Sequence, residues 1–136
     1  MWIYGFLRRL CIKTLLIAAE VRFQAANFRN GSDSMNKIKI WLDDIRPAPN
    51  GYFHCRSVNE AKLKIIHCEA EKNEIEIIDC DHDLGDYAAD GGDGIKLIDW
   101  LAERKTFYPI KLHTQNPVGR ENMQREINRY WRKTND

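Results

Sequence analysis

Three short stretches gather side chains suited to a charged oxygen substrate: Asp43-Asp44-x-Arg46, Asp81-His82-Asp83 and His113-Thr114-Gln115-Asn116. Carboxylates bind hard divalent cations through oxygen. Arginine grips phosphate with parallel N–H bonds, threonine and asparagine add single hydrogen bonds, and histidine moves protons near neutral pH. Asp43, Asp44, Asp81 and Asp83 are therefore the candidate metal ligands, with Arg46, Thr114 and Asn116 as phosphate ligands. His82 or His113 is the candidate general acid and base, beside Asp81. If these carboxylates converge, two of them about 4 Å apart repel by about 4 kcal/mol at an effective dielectric of about 20. Such a cluster needs a cation or a raised pKa, and Mg2+ is the expected one, with coordination positions left for water and phosphate oxygens.

Each stretch also has a plainer reading. Both aspartate clusters suit capped turns, a histidine at a strand end is often simply hydrogen-bonded, and Asn116-Pro117 suits a helix start. Gly91-Gly92-Asp93-Gly94 either cradles an anion at a helix N-terminus or is a flexible loop. What favours a site is that three separate strands are expected to deliver these groups to one edge.

The elements follow from apolar spacing. Lys37 to Leu42 alternates polar and apolar residues as a strand does, and Tyr52 to Arg56 is a second short strand. Ser57 with Glu60 forms a capping box that opens a helix through Ala61, Leu63, Ile65 and Ile66, ending near Lys72-Asn73. Ile75, Ile77 and Ile78 form a third strand, and a glycine-rich acidic loop spans Asp86 to Gly94. Ile95, Leu97, Ile98, Leu101 and Ala102 mark a helix, Ile110 to His113 a fourth strand, and Pro117 starts a last helix carrying Met123, Ile127 and Trp131. Alternating strands and helices predict an α/β fold: three layers, with a mostly parallel four-stranded sheet and helices on its faces. The connection from Leu42 to Tyr52 is too short for a crossover helix. In such sheets the ligand crevice lies at the carboxyl ends of the strands, where the polar stretches fall.

The chain has 136 residues and a formal charge of +1, unevenly spread. Residues 1–34 carry five basic and two acidic side chains, and residues 35–136 carry sixteen and eighteen. The longer part has no global basic field for duplex nucleic acid. Asn30 to Ser34 reads as a linker and Met35 as the start of the folded domain, with residues 1–34 an extension that is either an over-extended start or an appendage. That extension is too interrupted by Arg8, Arg9 and Lys13 for a membrane span or secretory signal, although a basic amphipathic surface helix fits it. Cys11, Cys55, Cys68 and Cys80 lie in apolar runs and read as reduced thiols of a cytoplasmic protein. His54-Cys55 and His67-Cys68 lack the spacing of a zinc site.

Other motifs fail. Asp81-x-Asp83 opens like a calcium loop, but its twelfth position is Gly92 where a bidentate glutamate is needed. The phosphate loop of ATPases and the dinucleotide fingerprint are both missing. Arg120, Arg125, Arg129, Arg132 and Lys133 make a partly basic helix face, read as solvated surface that could help hold a charged substrate.

Leu42-Asp-Asp-Ile-Arg-Pro47, Asp81-His-Asp-Leu-Gly85 and His113-Thr-Gln-Asn-Pro-Val-Gly-Arg120 with Met123 resemble, in order and spacing, the cyclic-phosphate processing receiver-like domain, a bacterial and phage branch of the response-regulator receiver superfamily. The resemblance spans about residues 36 to 131. It implies a reduced receiver-like (flavodoxin-like) fold, with Asp43 and Asp44 at the Mg2+-binding acidic pair, Asp81 at the phosphoacceptor and Thr114 at the hydroxyl position. Receivers also have a helix after the first strand, a fifth strand and a Lys-Pro, none of which this sequence shows, while His82, Asp83, His113 and Asn116 are added. The expected function is a divalent-metal-dependent phosphoesterase acting on cyclic phosphates of nucleotides or RNA ends, with no membrane or duplex DNA partner. The alternative is a phospho-accepting or nucleotide-sensing module without hydrolysis.

Overall fold

The structure is a computed structural model that describes residues 35–134. The reading of residues 1–34 as an extension, Cys11 included, lies outside the described residues.

Four parallel strands, β1 (Lys37–Leu42), β2 (Tyr52–Cys55), β3 (Glu74–Cys80) and β4 (Ile110–Leu112), form one sheet in the order β2-β1-β3-β4. Three helices alternate with them: α1 (Val58–Ala70), α2 (Ile95–Glu103) and α3 (Pro117–Tyr130). This is the α/β receiver-like fold expected from the sequence. No helix separates β1 from β2, because the nine residues between Leu42 and Tyr52 turn back directly. The loop after β3 contains a short 3-10 turn, Gly85–Ala89, where the sequence predicts irregular chain.

Helix α1 starts at the expected capping box: Ser57 Oγ accepts from Glu60 N–H, and Arg56 N–H donates to Glu60 Oε2. Its buried face is Val58, Ala61, Ile65 and Cys68, at the spacing of one helical stripe. Leu63 and Ile66, apolar residues of the same helix, are exposed. Leu63 is two residues from Ala61, about 200° around a helix, and cannot share its face.

The core joins this stripe to Ile40 and Leu42 of β1, Ile75, Ile78 and Cys80 of β3, Leu97, Ile98 and Leu101 of α2, and Met123 of α3. The sequence predicts helices on both faces of the sheet. Among the described residues the core residues of β1 pair with core residues of β3 on one face, and the helices' buried side chains meet them there. The other face carries a row set by parallel register: His54 beside Trp41, Trp41 beside Asp79, and Asp79 beside Lys111. Because side chains alternate along a strand, Asp43, Asp81 and His113 follow two residues later on that face, at the carboxyl edge. Cys55, Cys68 and Cys80 are buried free thiols, and burial pushes the Cys55 thiol up to about 12. They are inert core residues rather than metal ligands or nucleophiles.

Candidate functional site

Asp43 lies just past β1 and is 1% exposed. Its Oδ1 accepts the backbone N–H groups of Ile45 and Arg46 at 2.9 and 2.7 Å, closing an aspartate turn. Its Oδ2 accepts Arg46 Nε at 2.7 Å and His113 Nε2 at 2.9 Å. His54 Nε2 donates to the Asp43 carbonyl at 2.7 Å, so this histidine fixes the strand end rather than a zinc ion. Burial alone would raise the Asp43 carboxyl, but the hydrogen bonds from Arg46, Ile45 and His113 and the guanidinium charge outweigh it and hold it below the usual carboxylate range.

His113, just past β4, bridges two carboxylates: its other ring nitrogen, Nδ1, lies 2.6 Å from Asp79 Oδ1. Two ionised carboxylates only accept, so the bridge calls on both ring nitrogens to donate. The Trp41 ring stacks on it, with centroids 3.8 Å apart and planes 3° from parallel. Asp79 Oδ2 lies 3.5 Å from Lys111 Nζ.

Arg46 closes the pocket. Besides Asp43 it reaches Asp81 Oδ2 at 3.0 Å and donates from NH1 to the His113 carbonyl at 3.1 Å. Burial alone would lower its pKa, but the charges of Asp43 and Asp81 raise it further. Asp81 Oδ1 accepts from His82 N–H at 2.8 Å. The carboxylates of Asp43, Asp79 and Asp81 thus face the cations Arg46 and Lys111 and the imidazole of His113. Among the described residues no buried side-chain nitrogen or oxygen lacks a partner.

A second cluster sits at the same edge. His82 Nδ1 donates to Asp83 Oδ1 at 2.8 Å, and Asn116 Nδ2 donates to Asp83 Oδ2 at 3.0 Å. Asn116 also caps α3, with Oδ1 accepting from Gly119 N–H at 2.9 Å. The His82 ring lies against Gly119, where a Cβ would fall 2.4 Å from its Cγ. Its Nε2 has no hydrogen bond among the described residues. The His82 and Asn116 hydrogen bonds hold the Asp83 carboxyl low.

The other expected residues shape the turn into α3. Thr114 is 3% exposed, its hydroxyl accepts from Asn116 N–H, and its carbonyl accepts from Arg120 NH2. Asp44 stands apart, its Oδ2 so close to Gly85 that a Cβ there would lie at 2.6 Å. Gly85 has φ +53, so both its conformation and its lack of a side chain are used. The glycine run forms no anion cradle at Gly92 and Gly94, because their N–H groups donate to the Ala88 and His82 carbonyls.

Mg2+ is implied by the receiver resemblance. One ligand atom each of Asp43, Asp81 and His113 lies within 4.8 Å of the others, a spacing a metal ion could bridge, and His82, Asp83 and Asp93 form a similar group. Yet every carboxylate oxygen of Asp43 and Asp81 already accepts from a protein donor. The four expected ligands, Asp43, Asp44, Asp81 and Asp83, also fall into three separate environments. In this arrangement the residues do not fit a divalent ion.

Sequence reading missed Asp79 and Trp41. Asp79 had a signal: an aspartate inside an isoleucine-rich strand is a buried charge that needs a partner. Trp41 follows Lys37 and Lys39 at a spacing of two and so belongs to their polar face.

The lowered Asp43 carboxyl has a pH consequence. Its stabilisation is complete above the ordinary carboxylate range and is lost as pH falls through that range to the lower folded value. Thermal midpoints should therefore fall steeply on the acid side, and Asp43→Asn should flatten that limb. An equally steep limb in the variant would assign the acid sensitivity elsewhere.

A family model described as the cyclic-phosphate processing receiver domain matches residues 38–129. No curated protein and no solved structure matches the chain. The matched span holds β2, β3 and β4, all but the first residue of β1, all but the last residue of α3, and both clusters, and the chain belongs to the family of cyclic-phosphate processing receiver domains.

Proposed function

We propose that the carboxyl edge of this sheet binds and hydrolyses a cyclic phosphodiester carried by a nucleotide or an RNA end, with His82 as general acid and base. The observation that supports this most is the Asn116–Asp83–His82 chain, which orients the imidazole through Nδ1 and leaves Nε2 without a hydrogen bond among the described residues. A carboxylate on one ring nitrogen sets the tautomer and the direction in which the other points.

In the proposed step His82 Nε2 takes a proton from water as the oxygen attacks phosphorus. One P–O bond of the ring breaks, and the same proton returns to the leaving alkoxide, giving a phosphomonoester and a free hydroxyl. Arg46 has five N–H bonds, of which three are committed to Asp43, Asp81 and His113, so the remaining two can meet the phosphate. Arg120 adds a second guanidinium at the start of α3. His113, the other candidate base, is bonded at both nitrogens and is assigned to holding Asp43 and Asp79. No step is assigned to a metal, because the oxygens of Asp43 and Asp81 are already taken by protein donors.

Purified protein incubated with a panel of 2′,3′-cyclic nucleotides should convert at least one to a monoester. His82→Ala should lower kcat by about 10²- to 10⁴-fold, the usual worth of a positioned acid–base group. No turnover by the native protein, or equal turnover by His82→Ala, rejects the reading.

The alternative, phosphoryl transfer to Asp81, would break the ion pair to Arg46. Labelling of Asp81 by acetyl phosphate in a protein inactive on cyclic phosphates would put that alternative first. Among the described residues no helix is long and apolar enough to cross a membrane.

A further inference from the structure

We infer that Arg46 is the resident cation of the acidic pocket, standing where a receiver would hold a divalent ion, and that such an ion binds only if Arg46 leaves. The guanidinium spans the pocket, with Nε on Asp43 and NH2 on Asp81, and its third contact is the His113 carbonyl. Its backbone is fixed by the same carboxylate, since Asp43 Oδ1 accepts the Arg46 N–H, and Trp41 Nε1 donates to the Arg46 carbonyl at 3.1 Å. The cation is thus tethered three residues from its anion and held in place from both sides. A free ion must compete with a group at high effective concentration, and it meets carboxylate oxygens already bonded to Arg46 and His113. The spacing Asp43-x-x-Arg46 is what lets one residue close an aspartate turn and fill the pocket together.

The inference does not depend on hydrolysis, because its test reads binding. The full-length protein is titrated with Mn2+, following paramagnetic broadening of the Asp43, Asp81 and His113 amide signals, with Mg2+-induced thermal shift as a second readout. The native protein should show no saturable broadening below about 1 mM Mn2+, the effective concentration scale of a tethered competitor. Arg46→Met should open a saturable site at least about tenfold tighter, the effect of removing one charge-assisted competitor. Arg46→Lys, which keeps one charge but cannot span both carboxylates, should fall between. Should Arg46→Met fold only when Mg2+ is supplied, that is the same exchange seen through stability. Saturable sub-millimolar binding by the native protein overturns the inference whatever the variants do, and so does a folded Arg46→Met or Arg46→Lys protein with unchanged affinity.

Discussion

Replacing His113 by alanine should cost about 3–5 kcal/mol of stability, the range for removing one partner of a buried ion pair. The imidazole separates two carboxylates that are each 1% exposed, Asp43 and Asp79. Without it, Asp79 keeps only Lys111 at 3.5 Å, whose side chain is 65% exposed. Asp43 keeps Arg46, but the Trp41 ring loses the flat partner stacked on it. At about 4–8 °C per kcal/mol for a domain of this size, the thermal midpoint should fall by about 12–40 °C. Asp79→Asn added to His113→Ala should recover part of the loss, because it removes one orphaned charge, and the double-mutant cycle should show coupling above about 1 kcal/mol. A midpoint drop under about 5 °C in the single variant would mean that the bridge is not a stabilising element.

The second large effect belongs to Gly94, at the start of α2. Its N–H donates to the His82 carbonyl at 2.8 Å, and a Cβ there would lie 1.8 Å from the Asp81 carbonyl oxygen. Both sides of that contact are backbone, so no flexible side chain can yield. Gly94→Ala must move α2 away from the end of β3, at about 3 kcal/mol, the upper part of the usual range for overpacking. The shift falls on the peptide joining Asp81 to His82, so the ion pair to Arg46 and the His82–Asp83 hydrogen bond should loosen together. Circular dichroism melting should show a loss of about 12–24 °C, and His82 should show changed NMR shifts. Gly92→Ala is the control: the clash there is with the flexible Lys96 side chain, so the added strain is local to a φ of +92 and the Asp81–His82 peptide should stay in place. A melting curve for Gly94→Ala like that of the native protein would refute the close approach.

These two positions show how legibility differs between residue types. Glycine 94 is visible in the sequence only as one of a run, and nothing local says which glycine meets another backbone. His113 is visible as a polar residue at a strand end, but its role depends on Asp79 and Asp43, which are 34 and 70 positions away. Readings that rest on neighbouring residues are different. The Ser57–Glu60 capping box and the Asn116 cap form as the local pattern dictates, because each cap closes within one helical turn. The three polar stretches also meet at one edge, because parallel strands joined through helices all end on the same side.

By itself, then, the sequence determined the element order, the parallel α/β class and the edge at which chemistry gathers, since these follow from periodicity and local capping. Only the tertiary structure decided which charges meet. The pairing of β1 with β3 slips by one residue between Ile38 and Lys39, so that Trp41 aligns with Asp79 rather than with Ile78. A one-residue slip moves a strand's side chains to the opposite face. In this register Asp79 and Asp81 share the face of Asp43, beside His113 and Lys111, and the carboxylates that suggested a metal are bonded to Arg46, His113 and Lys111 instead. Residue spacing along one strand carries no record of that slip, because it is a property of two strands packed together.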